Sequence, residues 1–321
     1  DASPLRDASF SLGMPSTSRT GNLPVPIGSA TVRFDVARAF FDSAHQPANG
    51  PPASPMIDAS LPAVRLQAVR LDRGGRAILS GLDLLAPKGS ITAVLGPSGS
   101  GKSTLLAALT GELVPTSGTL QVFGAPVPRS ARGLLTMRKR LGVLLQGNGL
   151  LTDLTVAENV ALPLRAHTTL PEPVLQALVR MKLHAVGLLA AADAWPRELS
   201  GGMARRVALA RALALDPPLM LYDEPLTGLD PIASGVITAL IQRLNRSLGL
   251  TSIIVSHHVR ETLPICDQAV VIAEGRIVFA GTPEALQATT DPLLRQFLDG
   301  QADGPIAFDA RPFDAHARDA A

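Results

Sequence analysis

The sequence predicts an α/β domain in which a parallel sheet is covered by helices and carries an inserted helical subdomain. Five short apolar runs predict strands, and helix-period segments separate most of them, as is typical of parallel strands buried on both faces. The runs are Ile91–Leu95, Val143–Leu145, Leu219–Tyr222, Ile253–Val255 and Val270–Ala273. With 321 residues and 46% apolar content, the chain can form a packed core.

The segment between the second and third runs predicts helices instead of strands. Thr155 and Glu158 have the spacing of a capping box, and apolar residues at helical spacing follow Pro171. We therefore expect a helical subdomain over about 147–215, inserted into a domain that spans 61–299.

The two ends of the chain differ from this domain. Residues 1–60 are rich in Pro, Ala, Ser and Gly, and we expect them to be disordered because they bury too little apolar area to offset their ordering entropy. Met56 is a plausible translation start, and the role of this segment stays open. Residues 300–321 show neither helical nor strand periodicity, which predicts a C-terminal extension without its own core.

Composition and charge exclude several classes of protein. A net charge of +2 does not indicate a surface that coats nucleic acid. The single cysteine, Cys266, excludes an intrachain disulfide and a cysteine metal cluster, which fits a reducing compartment. Without an apolar run of transmembrane length or a signal core, the sequence predicts a soluble protein. The basic run 138–140 is better explained as a solvated helix face than as a headgroup or nucleic-acid site.

A glycine-rich segment predicts a phosphate-binding loop. It matches G-x-x-x-x-G-K-[ST] between a predicted strand and a predicted helix, a context that disfavours the alternative of a flexible Gly-Ser loop. Its glycines let backbone N–H groups converge on phosphate oxygens, Lys102 reaches the terminal phosphates, and Ser103 offers a hydroxyl to Mg²⁺. With the threonine that follows, this phosphate loop comprises Gly96, Pro97, Ser98, Gly99, Ser100, Gly101, Lys102, Ser103 and Thr104.

Two adjacent carboxylates end the third apolar run. Asp223 and Glu224 follow LMLY, so they lie at the carboxyl edge of a buried strand, where ligands of open α/β sheets bind. Asp223 can hold Mg²⁺ through its waters, and Glu224 can orient and deprotonate an attacking water. A solvated turn after the strand is the alternative, and the phosphate loop upstream favours the catalytic interpretation.

A second predicted helix begins with residues whose small side chains leave the backbone accessible. Ser200, Gly201 and Gly202 open a helical pattern in LSGGM, and TGLDP follows LMLYDEP. In this order and spacing the motifs over about 63–285 resemble ATP-binding-cassette (ABC) ATPases. The resemblance implies a P-loop nucleotide-binding domain and a head-to-tail pair of copies. Each ATP then lies between the phosphate loop of one copy and the Ser200 helix start of the other, so the second anion-binding helix start serves the partner's nucleotide.

Other positions take roles from the same resemblance. Gln146 ends GVLLQ and matches a glutamine that meets Mg²⁺ and the attacking water, while Asp230 matches the loop that crosses between the two sites. His257 matches the histidine that contacts the γ-phosphate. His258 stands where many members have Asp, which leaves open which histidine acts.

Two residues depart from the family pattern. Arg73 stands where many cassettes stack an aromatic ring on adenine; an arginine plane can stack on the base, and a solvated Arg is an equal alternative. Met203 replaces a common Gln, and we expect activity to survive because Ser200, Gly201 and Gly202 are intact.

Longer stretches, including SGGMARRVALARALALDPPLMLYDEP and RQFLDGQADGPIAF, resemble the ATPases of Mla-type phospholipid transporters. The resemblance implies transport between the inner and outer membranes and a peripheral position on the cytoplasmic face of the inner membrane. It also implies a permease, an MCE-domain subunit, a STAS-domain subunit and a C-terminal extension that reaches the neighbouring ATPase.

Alternatives are a cassette that serves a small polar solute, a non-transport cassette and a regulator without turnover. The short insertion and the single phosphate loop disfavour DNA-repair and translation cassettes, so no nucleic-acid partner is expected. The presence of Glu224 and His257 disfavours a regulator.

Overall fold

The computed structural model describes residues 62–306. The disorder expected over 1–60, the plausible start at Met56 and most of the C-terminal extension, from residue 307 onward, lie outside the described residues.

The elements within residues 62–306 alternate between strands and helices along much of the chain. The strands are β1 (Val64–Arg73), β2 (Arg76–Ala86), β3 (Ile91–Leu95), β4 (Ser117–Val122), β5 (Ala125–Pro126), β6 (Leu141–Leu144), β7 (Leu219–Asp223), β8 (Thr251–Ser256), β9 (Gln268–Ala273) and β10 (Arg276–Gly281). The α-helices are α1 (Lys102–Leu109), α2 (Ala131–Arg138), α3 (Val156–His167), α4 (Glu172–Ala185), α5 (Gly201–Ala212), α6 (Pro231–Leu248), α7 (Val259–Thr262), α8 (Pro283–Gln287) and α9 (Pro292–Asp299). Short 3₁₀ helices cover Leu189–Ala191, Pro196–Glu198 and Leu263–Ile265.

The larger sheet has the strand order β10-β9-β3-β8-β7-β6. Its strands pair in parallel except for β10, which runs antiparallel to β9. The strands predicted from the apolar runs are confirmed, with one correction: β6 ends at Leu144, so Leu145 lies beyond it. The α/β class predicted from these runs is therefore confirmed.

These strands are apolar on both faces because the parallel sheet separates two hydrophobic cores. Along β7, Leu219 and Leu221 face one core, and Met220 and Tyr222 face the other. The first core is completed by α1 and a second sheet, and the other by α3 to α6. Each fully buried leucine stabilises the fold by about 2 kcal/mol relative to exposure, which accounts for runs without strict alternation.

A second, antiparallel sheet with the order β2-β1-β4-β5 covers one face of the molecule, and the sequence did not predict it. The pairing of β1 with β2 shifts register between Leu66 and Val69, and Ala68 has a φ of 48°. This bulge reverses the alternation of apolar and polar residues halfway along β1. The period-2 pattern that identifies half-buried strands is therefore lost.

The region expected to be helical contains no strand between Leu144 and Leu219 in the described chain. The capping box is confirmed: the Thr155 side chain accepts from the Glu158 backbone N–H at 3.2 Å, and the Thr155 N–H donates to Glu158 Oε2 at 2.8 Å. Helices α3, α4 and α5 pack on one another through the second core. The limits of a subdomain at 147 and 215 stay a prediction.

The chain beyond α9 turns back onto that helix as far as residue 306. The buried Gln296 donates from Nε2 to the Ile306 carbonyl at 3.1 Å and accepts from the Ile306 N–H at 2.7 Å. Within residues 62–306, no helix combines the length and the apolar character that a membrane crossing requires.

Candidate active site

Four parallel strands end at one edge of the larger sheet. Leu95 pairs with Ser256, and Asp223 pairs with Val255, so the ends of β3, β8 and β7 are in register. The neighbouring β6 ends at Leu144. The segments that follow these strands carry the phosphate loop, His257, Glu224 and Gln146. Chain topology thus brings together residues up to 161 positions apart, the separation of Gly96 from His257.

The phosphate loop depends on glycines for both conformation and space. Gly96, Gly99 and Gly101 have φ values of 154°, 80° and 100°, in a region that side chains disfavour. A Cβ on Gly96 would lie 2.2 Å from the Ile272 carbonyl oxygen, so the loop folds directly against β9. Gly101 then precedes the first residue of α1, whose free N–H groups and dipole favour an anion.

Gly96→Ala should therefore destabilise the fold by about 3 kcal/mol, the sum expected for overpacking against backbone and an unfavourable φ. Urea unfolding measures this change. Gly235→Ala is the matched control: Gly235 lies in α6, and a Cβ there would meet nothing within 4 Å. A Gly96→Ala variant as stable as this control would contradict the crowding of the loop.

Lys102 is buried inside the loop that it serves. Its Nζ donates to the carbonyls of Gly96 at 2.8 Å and Pro97 at 2.9 Å and lies 3.9 Å from Glu224 Oε1. Burial lowers the pKa of Lys102, while the charges of Glu224 and Asp223 act in the opposite direction. The ammonium group is thus held in the loop by two carbonyls, and that of Pro97 also accepts from the Ser100 N–H at 3.2 Å.

The two carboxylates occupy different environments. The pKa of Asp223 is raised, first by burial and then by the charge of Glu224, against the opposing effect of Lys102. Glu224 is buried and has a φ of 47°, which is uncommon for a residue other than glycine and often marks functional sites. Its backbone N–H donates to the Val255 carbonyl at 2.9 Å, an interaction that fixes the turn after β7.

The structure distinguishes the two histidines. His257 Nδ1 lies 2.9 Å from Glu224 Oε2, and the His257 ring is half-exposed. The His258 ring lies against the His257 ring, with 4.3 Å between the ring centroids. The His258 backbone N–H donates to Ser256 Oγ at 3.0 Å. His257 is therefore the histidine in contact with the carboxylate.

The site has polar atoms suited to a phosphate and a divalent cation. Asp223 Oδ1 and Ser100 Oγ are buried and have no hydrogen-bond partner within the described chain. Ser103 and Gln146 are exposed beside the strand ends, and Thr104 is buried in α1. Carboxylate, hydroxyl and amide oxygens are hard ligands of the kind that Mg²⁺ takes. These residues fit the nucleotide and cation that the sequence predicted.

Two site predictions need correction or stay open. Gln146 does not end a strand but lies two residues beyond β6, in a turn. Arg73 is exposed at the end of β1, next to the Gly74–Gly75 turn. Its stacking on adenine stays a prediction.

The second helix start is well formed. Ser200 caps α5, and its Oγ accepts from the Met203 N–H at 3.3 Å. Asp230 caps α6 and accepts from the N–H groups of Ile232 and Ala233, both at 2.9 Å. A groove of about 240 Å³ between the two starts is lined by Ser200, Gly201, Gly202, Gly228 and Asp230, among others.

This second start does not take part in the phosphate loop's interactions. The Cβ positions of Gly201 and Gly202 approach only Leu229 and Ala233, both near the start of α6. Across residues 62–306, no hydrogen bond or ion pair connects 200–203 to the phosphate loop. Residues 200–202, which we call the tip, are thus available to another molecule.

Sequence reasoning missed three buried or half-buried side chains that hold the backbone between residues 145 and 155. Arg205 donates to the Leu145, Gln146 and Thr227 carbonyls, and Arg211 donates to the Asn148 and Gly149 carbonyls. Asn159, fully buried, bonds to the backbone of residues 151–155. Helical spacing gives one signal: Arg205 shares the inner face of α5 with Ala208 and Leu209, an unusual position for an arginine.

Comparisons with known proteins agree with this geometry. The "ABC transporter" family model matches residues 79–227. The Escherichia coli K12 protein named intermembrane phospholipid transport system ATP-binding protein MlaF is 50% identical over 255 residues, 79% of this chain and 95% of that protein. The Haemophilus influenzae protein of the same name is 50% identical over 76% of this chain and 93% of its own length.

Solved structures are similar as well. CbiO1 from Clostridium perfringens, part of the ABC transporter complex cbiONQ, superposes with a TM-score of 0.68 at 30% identity and covers 71% of this chain and 92% of its own. The ATP-binding cassette MJ0796, in a dimeric post-hydrolysis state with ADP and Pi, gives 0.63 at 28% identity over 68% and 98%.

Proposed function

Because the chain belongs to the ABC transporter family as an ATP-hydrolysing, nucleotide-binding subunit, we propose that it powers phospholipid transport between the inner and outer membranes through a separate permease. The 50% identity to MlaF proteins over nearly their whole length supports phospholipid as the cargo. The intact site carries the chemistry: phosphate loop, two carboxylates and a histidine meet at one sheet edge.

We propose that two copies share each nucleotide. The Ser200 tip is formed and exposed, yet it makes no hydrogen bond to the phosphate loop of its own chain within the described residues. A helix start of this kind binds anions, so a γ-phosphate held by a second copy suits it. A dimeric state of the neighbour MJ0796 supports the same arrangement.

Within each shared site the residues have separate roles. The N–H groups of the phosphate loop and Lys102 bind the phosphates, while Ser103, Asp223 and Gln146 hold Mg²⁺. When bound, Mg²⁺ neutralises phosphate charge. Glu224 orients and deprotonates the attacking water. His257, whose Nδ1 lies 2.9 Å from the Glu224 carboxylate, helps to fix that carboxylate beside the γ-phosphate. Ser200, Gly201 and Gly202 of the second copy close the site, and Asp230 lies at the crossing between the two sites.

The proposed partners and location follow from the resemblance of the sequence to the ATPases of Mla-type transporters. The protein sits peripherally on the cytoplasmic face of the inner membrane, bound to the permease, with MCE-domain and STAS-domain subunits in the same assembly. Residues 300–321 reach the neighbouring ATPase. No nucleic-acid partner is proposed, because 29 basic and 27 acidic residues nearly balance.

Purification from native membranes tests the system. We expect the tagged full chain to recover a permease together with an MCE-domain protein, and the complex to hydrolyse ATP faster when reconstituted with phospholipid. Recovery of an amino-acid permease instead would contradict the phospholipid assignment and favour the small-solute alternative.

A further inference from the structure

The buried guanidinium of Arg205 connects two segments of the nucleotide site. Its Nη1 donates to the Leu145 carbonyl at 3.1 Å and the Gln146 carbonyl at 2.8 Å. Its Nη2 donates to the Thr227 carbonyl at 3.1 Å. We define residues 145–149 as the Gln146 segment and residues 227–230 as the Asp230 loop. The guanidinium of Arg205 therefore bonds to both the Gln146 segment and the Asp230 loop.

Burial and hydrogen bonds to the backbone fix the position of the Arg205 guanidinium. Arg205 is 3% exposed, and no carboxylate of the described chain forms an ion pair with it. A buried cation without a counter-ion is costly unless its N–H groups are satisfied; here Nη1 and Nη2 donate to backbone carbonyls, while the buried Nε has no partner within the described chain. Movement of either segment would break these bonds and remove hydrogen-bond partners from the buried charge. The contact therefore favours joint movement of the two segments over independent movement.

Arg205 also belongs to the helix that begins with the glycine tip. It lies on the second turn of α5, which starts directly after Ser200. The three parts connected by α5 and Arg205 are thus the tip, the Gln146 segment and the Asp230 loop. In the paired arrangement, the tip meets the partner's nucleotide, while the Gln146 segment meets the nucleotide of its own chain.

We propose that Arg205 is a positioning residue that couples the two ATP sites of the paired protein, by moving the Gln146 segment and the Asp230 loop together with the tip. This inference rests on the proposed function, because coupling requires two copies that share their nucleotides. Binding of ATP at one site then favours the closed arrangement at the other, and hydrolysis depends cooperatively on ATP concentration.

The test is the ATP dependence of turnover in Arg205→Gln. The amide nitrogen of a glutamine ends at the position of Arg205 Nε, two covalent bonds short of Nη1 and Nη2, and Nε has no hydrogen-bond partner within the described chain, so the link is lost. We expect the Hill coefficient to fall from near 2 in the wild type, the limit set by two sites, to near 1, and kcat to fall by about 10-fold. Wild-type values of both in Arg205→Gln overturn the inference.

Arg211→Gln is the matched control. Arg211 lies on the same helix and donates to the Asn148 and Gly149 carbonyls, at 2.8 and 2.6 Å, but to no residue of the Asp230 loop. Its loss loosens the Gln146 segment without breaking the link, so the Hill coefficient should stay near the wild-type value. An equal loss of cooperativity in both variants would show that general loosening suffices and would overturn the role of Arg205.

Arg205→Met keeps the inference testable if Arg205→Gln does not fold. Methionine retains an unbranched apolar stem but has no N–H donor, and it should lose cooperativity in the same way; full cooperativity overturns the inference. ATP-driven pairing of the wild type is measured in parallel. Absence of pairing in the wild type would refute the proposed function itself, whereas pairing with unchanged cooperativity in both Arg205 variants would refute this inference alone.

Discussion

Glu224→Gln should lower ATP turnover at least about 10²-fold while ATP remains bound. The carboxylate is the group of the site best placed to take a proton from water, because it is buried, held by an unusual backbone conformation and in contact with His257. The amide keeps the shape and an acceptor oxygen, but it cannot accept the proton. It also removes a negative charge beside the phosphates, so binding should not weaken.

We expect this variant to accumulate as an ATP-bound pair of chains, because release depends on hydrolysis. Phosphate release measures turnover, and light scattering with and without ATP measures pairing. Glu284→Gln, which removes an exposed carboxylate in α8, is the control and should behave as the wild type. Wild-type hydrolysis by Glu224→Gln would remove Glu224 from its proposed role.

Lys102→Ala should weaken ATP binding by roughly 10²- to 10³-fold. The ammonium group is buried at the mouth of the phosphate loop, where its interaction with phosphate is little screened by water. Its removal also takes away the donor that the Gly96 and Pro97 carbonyls share, at the place where phosphate oxygens must approach. Both effects act against the same ligand.

Titration calorimetry with ATP and Mg²⁺ measures this loss. Lys139→Ala is the charge-matched control, since Lys139 is exposed at the end of α2 and should not influence the site. Equal affinity of Lys102→Ala and Lys139→Ala would show that the loop binds the nucleotide without its lysine.

The phosphate site could be predicted from sequence because its parts are local. The phosphate loop lies between a strand and a helix, and the apolar run before Asp223 identifies a strand end. Parallel strands then place these ends at one edge, so proximity of Glu224 to Lys102 follows from topology. The antiparallel sheet could not be predicted, since the bulge at Ala68 shifts its alternation.

The links between motifs could not be predicted for a different reason. Arg205 bonds to backbone carbonyls. Because every residue has a backbone carbonyl, the sequence does not indicate that Leu145 or Thr227 is a partner of Arg205. Arg73 shows the opposite limit: the sequence suggested a stacking role, and the structure gives an exposed side chain next to a turn. Side-chain contacts of these kinds depend on packing between distant segments.

Mixed pairs test whether the reaction centre is divided between two chains. Gly201→Glu places a carboxylate at the tip, where it should repel a partner's γ-phosphate but leave the chain's own phosphate loop intact. The fold should tolerate it, because a Cβ there meets only Leu229, at 3.7 Å, and acidic residues suit the first turn of a helix. Gly235→Glu, at an open position of α6, is the charge control and should remain active.

In a pair formed by one Gly201→Glu chain and one Glu224→Gln chain, both defects fall on the same site if nucleotides are shared. The other site then has an intact Glu224 facing an intact tip. The measurement is ATP turnover of the equimolar mixture compared with the sum of each variant alone. Our account predicts turnover several times that sum; turnover equal to the sum would show that each chain closes its site by itself.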